Sequence, residues 1–234
     1  KMYLYQNSPY EETIFIDSDS LILSATDILW EDFLSTGDFS CYGKTLPLDS
    51  KKGWFLYENM GSLKPRLAYG ISMHGGLYYF RKTDVCRKVF ADALSFLEDY
   101  DRYGFALFKQ PADEPVLALS MALAGCRPCD RQNRILFFNS HDGKMHLNAK
   151  GELLFRKEIC KPVVLHFGNR NTQRYLYQCL RAQILHSYAG NKEPLRAVER
   201  WRLRIKYLPV DTKFLARRIL KGVLPRKMID KLKR

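Results

Sequence analysis

The sequence predicts an α/β fold followed by a basic helical tail, and three observations support this. Short apolar runs rich in β-branched and aromatic residues, such as 13–16 and 77–80, are typical of strands. Segments with apolar residues at helical intervals, such as 27–34 and 84–100, follow them. The chain has 234 residues, of which 46% are hydrophobic. It is therefore long and apolar enough for one large domain, or for one domain with an appendage.

Two aspartates directly follow the first of these strands. Residues 13–16 run into Asp17 and Asp19, and strand alternation would place both carboxylates on one side of the strand end. Such a pair suits a hard divalent cation, Mg²⁺ or Mn²⁺, that also holds substrate phosphates. Open α/β sheets bind ligands where strands end. The alternative is a surface turn in which the two aspartates cap the next segment.

A pair of glycines interrupts the apolar stretch 67–82. Gly75 and Gly76 follow His74 and precede the strand 77–80, at positions where bulkier residues would stabilise a strand. Either a bulge or the close approach of a ligand to the backbone explains them. The sequence leaves both explanations open.

An unusually apolar helix is predicted at 116–124. Asp113 is placed as its N-cap, Pro115 lies in the first turn and Gly125 ends the helix. A helix this apolar must be buried, so its N-terminus is expected to face the interior or a cleft.

The second half of the chain contains strands at 135–138, 153–155 and within 162–169. The last of these delivers His166 just before a turn at Gly168. We expect His141 and His146, in a polar hairpin-like region, to be solvated. A lone histidine at a strand end is usually structural, so the interest of His166 depends on whether it meets Asp17 and Asp19.

The net charge of +13 is concentrated in the tail. Residues 192–234 carry fifteen Lys/Arg and four Asp/Glu, a balance of +11, which leaves +2 for the rest. Apolar residues recur at helical intervals in one helix before Pro209 and in a second helix capped by Asp211. A basic amphipathic tail predicts attraction to an anionic membrane surface. A solvated or packed helix face is the alternative, and no motif supports nucleic-acid binding.

Several other classes are disfavoured. No uncharged apolar run reaches the roughly 18 residues that span a bilayer, and no signal-peptide pattern is present. Cys126 and Cys129 have thioredoxin-like spacing but lack a second pair for zinc, so the six cysteines are expected to be reduced. The absence of an Asn-x-Ser/Thr sequon favours a cytoplasmic location.

Taken in order, four signals resemble one family. They are the strand that ends in Asp17-Ser18-Asp19, the strand with His74-Gly75-Gly76, the helix start at Asp113-Glu114, and Leu165-His166-Phe167-Gly168. Over residues 3–175 the chain resembles the glycosyltransferases of the GT-A fold, closest to family 8, which includes bacterial lipopolysaccharide galactosyltransferases and glycogenin. The resemblance implies a Rossmann-like mixed sheet flanked by helices in residues 1–190, with 191–234 as the basic tail.

The resemblance also implies a nucleotide-sugar site built on a metal ion. Asp17 and Asp19 match the family's D-x-D, with Asp19 the firmer metal ligand and Asp17 reaching metal and ribose. His166 matches the histidine that completes the metal site and touches the diphosphate. The implied cofactor-binding residues are Asp17, Asp19, His74, Gly75, Gly76, His166 and Gly168, and the implied catalytic residues are Asp113 and Glu114. The family more often has Asn-x-Gly at His74-Gly75, and often Gln at Glu114.

The implied reaction moves a sugar from a nucleotide-diphosphate sugar, such as a UDP-sugar, to a glycan or lipid-linked acceptor with retention of anomeric configuration. Mn²⁺ or Mg²⁺ would neutralise charge on the leaving diphosphate. Asp113 and Glu114 are assigned to sugar binding and electrostatic stabilisation. The expected location is cytoplasmic, peripheral on the inner face of the membrane.

Two other functional classes stay open. Haloacid dehalogenase-like phosphatases also place D-x-D after an apolar strand, which would make Asp17 the nucleophile, although their motif continues with Thr or Val where Leu21 stands. A non-catalytic carbohydrate- or membrane-binding module is favoured if His166 does not meet Asp17 and Asp19. The family's first strands, which hold the nucleotide base, are missing before Asp17, so we expect the sequence to be incomplete at its N-terminus.

Overall fold

The chain forms a mixed α/β structure, as predicted. The computed structural model describes residues 1–105, 111–131, 134–141, 143–191 and 193–223. Its helices and strands, in chain order, are α1 (Leu4–Asn7), β1 (Glu12–Ile16), β2 (Ser20–Ile22), α2 (Asp27–Leu34), β3 (Phe39–Leu46), β4 (Gly70–Arg81), α3 (Asp84–Glu98), α4 (Asp113–Leu123), β5 (Ile135–Phe137), β6 (Met145–Leu147), β7 (Leu153–Phe155), β8 (Glu158–Ile159), β9 (Val164–His166), α5 (Tyr175–Tyr188) and α6 (Ala197–Val223).

The chain divides into two compact units. The first comprises Lys1–Ser18 and Ser24–Ile135, and the second comprises Asp19–Leu23 and Leu136–Arg234. The boundary therefore falls inside the D-x-D segment. The division into 1–190 and 191–234 stays a prediction.

The first unit is built on an antiparallel sheet with strand order β1-β4-β3. The central strand β4 is buried along most of its length. Helix α3 buries the amphipathic face predicted for it, including Val89, Ala93 and Phe96, and α4 is buried from Pro115 to Ala122. Both helices belong to the same apolar cluster as β4, which explains why α4 has so few polar residues.

A bulge, one of the two explanations that the sequence left open, lies at the glycine pair within one continuous strand. Cys41 pairs with Tyr78 and Gly43 pairs with Met73. Between these two pairs β3 advances by two residues, from 41 to 43, whereas β4 advances by five, from 73 to 78. The extra residues therefore lie on β4, around His74 and the two glycines. The prediction that the glycines separate two strands is wrong, because β4 absorbs the extra residues as an irregularity and runs on to Arg81.

Helix α4 begins one residue earlier than an Asp113 cap would require. Its N-cap is Ala112, with no side-chain capping bond, and Asp113 is the first helical residue. The prediction of Asp113 as N-cap is therefore wrong. Gly125 follows the C-cap Ala124 with φ 74°, so it ends the helix as predicted.

The second unit contains two three-stranded sheets, with strand orders β2-β9-β5 and β6-β7-β8. Strand β2 pairs with β9 in antiparallel register, with Ser20 opposite His166. Leu21, Leu165 and Phe167 form its apolar core with Leu176 and Leu180 of α5.

His146 is exposed in β6, as predicted. The side chain of His141 and the turn residue Asp142 lie outside what the structure describes. All six cysteines are free, as predicted.

The tail forms one long helix instead of the two predicted. Helix α6 continues through Pro209, and contacts on both sides of the proline hold it in place. Leu195 is buried before it, and after it Asp211 accepts a hydrogen bond from Arg174 Nε at 3.1 Å. Asp211 therefore forms an ion pair and does not cap a new helix. The predicted apolar face beyond residue 223 lies outside the described residues.

Among the described residues, no helix is both long enough and apolar enough to cross a membrane.

Candidate active site

The D-x-D segment is a turn that links the two sheets. Strand β1 ends at Ile16 and β2 begins at Ser20. The Asp17 amide donates to the carbonyl of Gly76 at 2.8 Å, which extends the β1–β4 pairing by one more bond. Strand alternation is therefore the wrong reason for grouping Asp17 with Asp19, because the backbone between them turns. Their carboxylates engage partners elsewhere in the chain and cap no helix.

Asp19 lies beside His166 because two strands hold it there. Ser20 is opposite His166 in the β2–β9 ladder, and the Phe167 amide donates to the Asp19 carbonyl at 3.1 Å. This register brings the Asp19 Oδ1 to 2.9 Å from the His166 Nε2. His166 is buried, and its ring packs on Phe137 with centroids 4.9 Å apart. His166 at the end of β9 therefore lies beside Asp19 of the D-x-D, a contact on which the sequence alone could not decide.

Asp17, Asp19 and His166 form an Asp/Asp/His group in which one ligand atom of each lies within 4.8 Å of the others. The two aspartates are half-buried and the histidine is buried. Two carboxylate oxygens and one imidazole nitrogen are ligands that Mn²⁺ accepts, and Mg²⁺ accepts the oxygens. Partial burial leaves room for further oxygen ligands from a substrate. The residues present thus fit a divalent cation.

Lys1 is the site residue that the sequence reasoning missed. Its ammonium nitrogen lies 2.8 Å from Asp17 Oδ2 and 2.8 Å from Asp113 Oδ2, and it donates to the Gly75 carbonyl at 3.1 Å. It therefore joins three predicted site residues within the first unit. Nothing in the local sequence marks it, because the contact depends on how the segment before β1 lies against α4.

The charge of Lys1 is retained despite its burial. Burial alone lowers the pKa of Lys1, but the carboxylates of Asp113 and Asp17 outweigh it, and the net pKa is raised. The ammonium is therefore a fixed positive charge between two carboxylates. This contact also explains why Asp113 does not cap α4.

Gly75 is required by the side chain of Glu114. A Cβ built at Gly75 would overlap the Cγ of Glu114, and both residues belong to the first unit. The close approach that the sequence left open therefore comes from within the chain. Gly76 contributes differently, through its carbonyl bond to the Asp17 amide. Gly75 thus leaves space for the Glu114 side chain, and Gly76 holds the backbone of the D-x-D segment at Asp17.

Glu114 is a carboxyl group that titrates near neutral pH. Burial raises its pKa to about 7, with repulsion from the neighbouring Asp113 as the next cause. Near pH 7 a large fraction of Glu114 is therefore protonated and able to donate a hydrogen bond. A protonated carboxyl has one oxygen that donates a hydrogen bond and one that accepts. It resembles the side-chain amide of glutamine, which also has one donor group and one acceptor group.

Gly168 shapes the turn that follows His166. Its φ of 72° lies in the left-handed region, and the Asn171 amide donates to its carbonyl at 2.8 Å. The buried side chain of Asn171 donates to the Phe167 carbonyl at 2.7 Å and also to Asn139. The predicted glycine turn is confirmed, and these bonds fix the backbone directly after His166.

His74 lies in the irregular part of β4, half-buried, where its Nδ1 accepts a hydrogen bond from the Gly76 amide at 3.4 Å. The structure thus groups Asp17, Gly75, Asp113 and Glu114 around Lys1, and groups Asp19 with His166 next to Gly168. The cofactor-binding and catalytic roles of these residues stay predictions.

Comparison with known proteins gives matches among solved structures alone. No protein-family model matches the chain, and no curated protein sequence matches it. A galactosyltransferase, LgtC, solved with donor and acceptor sugar analogs, matches with 14% identity and a TM-score of 0.42, covering 72% of this chain and 56% of LgtC. An active-site mutant of LgtC matches with 15% identity and a TM-score of 0.39, covering 72% and 57%. The chain therefore spans little more than half of these structures. At this level of similarity, function has to be judged from the side chains.

Proposed function

We propose that this chain is the metal-binding part of a glycosyltransferase that uses a nucleotide-diphosphate sugar, such as a UDP-sugar, as donor. The observation that supports it most is the group formed by Asp17, Asp19 and His166, ligands suited to Mn²⁺ or Mg²⁺. A divalent cation bound there would neutralise charge on a leaving diphosphate. In this proposal the acceptor is a glycan or a lipid-linked acceptor, and the transfer retains anomeric configuration.

The chain's own residues hold the metal ligands in place before a donor binds. The β2–β9 ladder fixes Asp19 beside His166, and the Gly76 carbonyl fixes the Asp17 backbone. The Lys1 ammonium binds the Asp17 carboxylate, and Asp113 shares the same ammonium. Within each unit these side chains are thus already held by contacts, which lowers the entropic cost of ordering them when a donor binds.

Asp113 and Glu114 are proposed to bind the transferred sugar. The Asp113 carboxylate lies 2.8 Å from the Lys1 ammonium, and its oxygens accept hydrogen bonds from sugar hydroxyls. Glu114, with a pKa of about 7, donates a hydrogen bond to a sugar hydroxyl oxygen in its protonated form. Together they offer an acceptor and a donor on adjacent residues at the start of α4. Positive charge that develops on the sugar during transfer is stabilised by the Asp113 carboxylate.

The direct test is thermal unfolding of the protein with UDP-sugars, in the presence and absence of Mn²⁺. We expect stabilisation by the nucleotide sugar that requires Mn²⁺, and we expect Asp19→Asn to abolish it. Asp49→Asn is the matched control, because it removes the same charge from an exposed turn residue that is not part of the metal group. Equal stabilisation without metal, or in Asp19→Asn, would contradict the proposal.

A histidine variant separates this proposal from the phosphatase alternative. A phosphatase that uses Asp17 as nucleophile does not depend on His166, whereas the proposed metal site does. We expect His166→Ala to remove Mn²⁺-dependent nucleotide binding, and no turnover of phosphomonoesters in the unmodified protein. The 2.9 Å distance between Asp19 and His166 removes the condition that favoured a non-catalytic module.

A second role, attachment to an anionic membrane surface, is supported by one face of α6. Trp201, Ile205, Leu208, Leu215 and Ile219 are exposed and recur at spacings of three, four and seven residues, which places them on one side of the helix. Exposed basic residues flank them, including Arg202, Arg204 and Lys206. Apolar side chains between cations suit the headgroup region of an anionic bilayer. With this role the protein would lie on the cytoplasmic face of the membrane.

Liposome sedimentation tests the membrane role without disrupting the fold. Deleting the tail would remove the buried Leu195 and the Asp211–Arg174 pair, so point substitutions are better. We expect the triple variant Trp201→Ser, Ile205→Ser, Leu208→Ser to release the protein from anionic vesicles. The far-ultraviolet circular dichroism should not change. Unaltered binding by this variant would end the idea.

A further inference from the structure

A cavity in the second unit lies outside the residues assigned above. It has a volume of about 370 Å³ and is lined by Arg170 and Gln173 of the 3-10 turn Asn169–Gln173, and by α6 residues Pro209, Val210, Lys213 and Phe214. All of its lining residues belong to the same unit. Its volume falls within the range of sites for small ligands, near the low end. Neither the metal group nor the apolar face of α6 includes any of these six residues.

The two cations of this cavity have no acidic partner among the described residues. Neither Arg170 nor Lys213 forms an ion pair with a described residue. Asp211, which lies two residues before Lys213 on α6, instead pairs with Arg174 at 3.1 Å. The Arg174 guanidinium also lies over the Phe214 ring, 5.1 Å from its centroid. Arg174 thus neutralises Asp211 and fixes Phe214. Within the part of the chain that the structure describes, no acidic side chain compensates the positive charge of Arg170 and Lys213.

The remaining lining residues complete a site for a compact polar group. The Gln173 amide adds a neutral hydrogen-bond donor beside the two cations. Phe214, Val210 and Pro209 provide an apolar surface of the kind on which the carbon face of a sugar ring rests. Guanidinium and ammonium groups both bind phosphate oxygens, with arginine able to contribute two parallel hydrogen bonds. The lining residues therefore match a phosphate ester of a small group such as a sugar.

We infer that this cavity binds the phosphate group of a phosphorylated acceptor, with Arg170 and Lys213 holding the phosphate and Phe214 supporting the attached group. The binding site stands on its own geometry, and its assignment to the acceptor rests on the proposed glycosyltransferase function. The phosphate comes either from a soluble sugar phosphate or from a lipid headgroup. Binding involves no covalent step.

Binding of hexose 6-phosphate to the full chain, followed by calorimetry, tests the inference for a soluble source. The same experiment with unphosphorylated hexose controls for the sugar body. Sedimentation with phosphatidylcholine vesicles, with and without phosphatidic acid, tests the lipid source. We expect Arg170→Gln and Lys213→Gln each to weaken phosphate binding about tenfold, since each removes one charge-assisted hydrogen bond. Arg181→Gln is the control, because it removes an exposed charge from α5, outside both the cavity and the basic face of α6.

The outcomes are separable from those of the proposed function. Saturable binding of either phosphate source that Arg170→Gln and Lys213→Gln weaken, and Arg181→Gln does not, supports the site and identifies the source. Absence of saturable binding from both sources, or equal weakening by Arg181→Gln, overturns it. Loss of phosphate binding in Asp19→Asn would place the phosphate at the metal group and would also overturn it. Mn²⁺-dependent binding of a UDP-sugar, by contrast, is expected to persist in Arg170→Gln.

Discussion

Asp17 and Asp19 are two residues apart, yet their surroundings differ in kind. Asp17 belongs to the first unit and shares a lysine with Asp113, so a permanent positive charge already compensates it. Asp19 belongs to the second unit and faces His166, whose imidazole is a metal ligand when neutral. Asp19 and His166 are therefore suited to be the firmer ligands of a cation. Asp17 belongs to the same group of possible ligands, but its carboxylate also binds the lysine that it shares with Asp113.

The largest expected effect separates the two aspartates directly. Asp19→Asn is expected to weaken Mn²⁺-dependent UDP-sugar binding by about a hundredfold or more, since even residues that only support metal ligands often cost roughly 10- to 100-fold. Asp17→Asn should cost less, because Lys1 already offsets part of that charge. Calorimetric titration of both variants measures the difference. Equal losses would erase the distinction between the two surroundings.

The next effect concerns the packing of Glu114 against the glycine pair. Gly75→Ala is expected to destabilise the protein by about 1–3 kcal/mol, because its Cβ would overlap Glu114. Combining it with Glu114→Ala removes the overlap, so the two changes should cost less together than the sum of the single changes. Urea unfolding of the four proteins in this cycle gives the coupling. Additive losses would show that Gly75 is needed for another reason.

Removing Lys1 should leave two half-buried carboxylates without their cation. We expect Lys1→Met to lower the free energy of unfolding by about 1–2 kcal/mol without metal, near the lower end for hydrogen bonds to charged groups because the three side chains are partly exposed. Lys51→Met, at an exposed position, is the control. If Asp17 contributes to the metal site, Mn²⁺ should recover part of the loss. No recovery would assign Lys1 and Asp17 to the sugar pocket alone.

The last effect is the pH dependence of stability that comes from Glu114. Its pKa is about 7 in the folded protein against 4.5 as an unperturbed value. Between these values the folded state binds more protons than the unfolded state, so stability falls as pH rises from 4.5 to 7. Glu114→Gln removes this dependence and should become the more stable protein above about pH 7, by about 1–3 kcal/mol. Parallel pH profiles would contradict the buried carboxyl.

Local patterns in the sequence predicted helices and strands, but they did not predict which distant segments pair with each other. Residues 27–34 were predicted and found as helix α2, because amphipathic spacing is a local property. The D-x-D was identified as a metal ligand pair from alternation along one strand, yet a turn carries it. The contact of Asp19 with His166 depends on the β2–β9 register, which no local pattern encodes.

The same limit explains the two errors at Asp113 and Pro209. Capping rules favour an aspartate before an apolar helix, but Lys1 binds the Asp113 carboxylate and leaves the cap to Ala112. Proline usually ends a helix, but the Asp211–Arg174 pair and the packing of Phe214 under Arg174 hold α6 together beyond it. In both cases a long-range contact overrides a local preference.

The most direct measurement is anomalous diffraction from a crystal of this protein soaked in Mn²⁺ and a UDP-sugar, collected above the manganese edge. A peak bonded to Asp19 and His166, and absent in Asp19→Asn crystals, is the predicted result. A crystal in which manganese binds elsewhere, or in which the nucleotide binds with no metal beside His166, would contradict the proposed site.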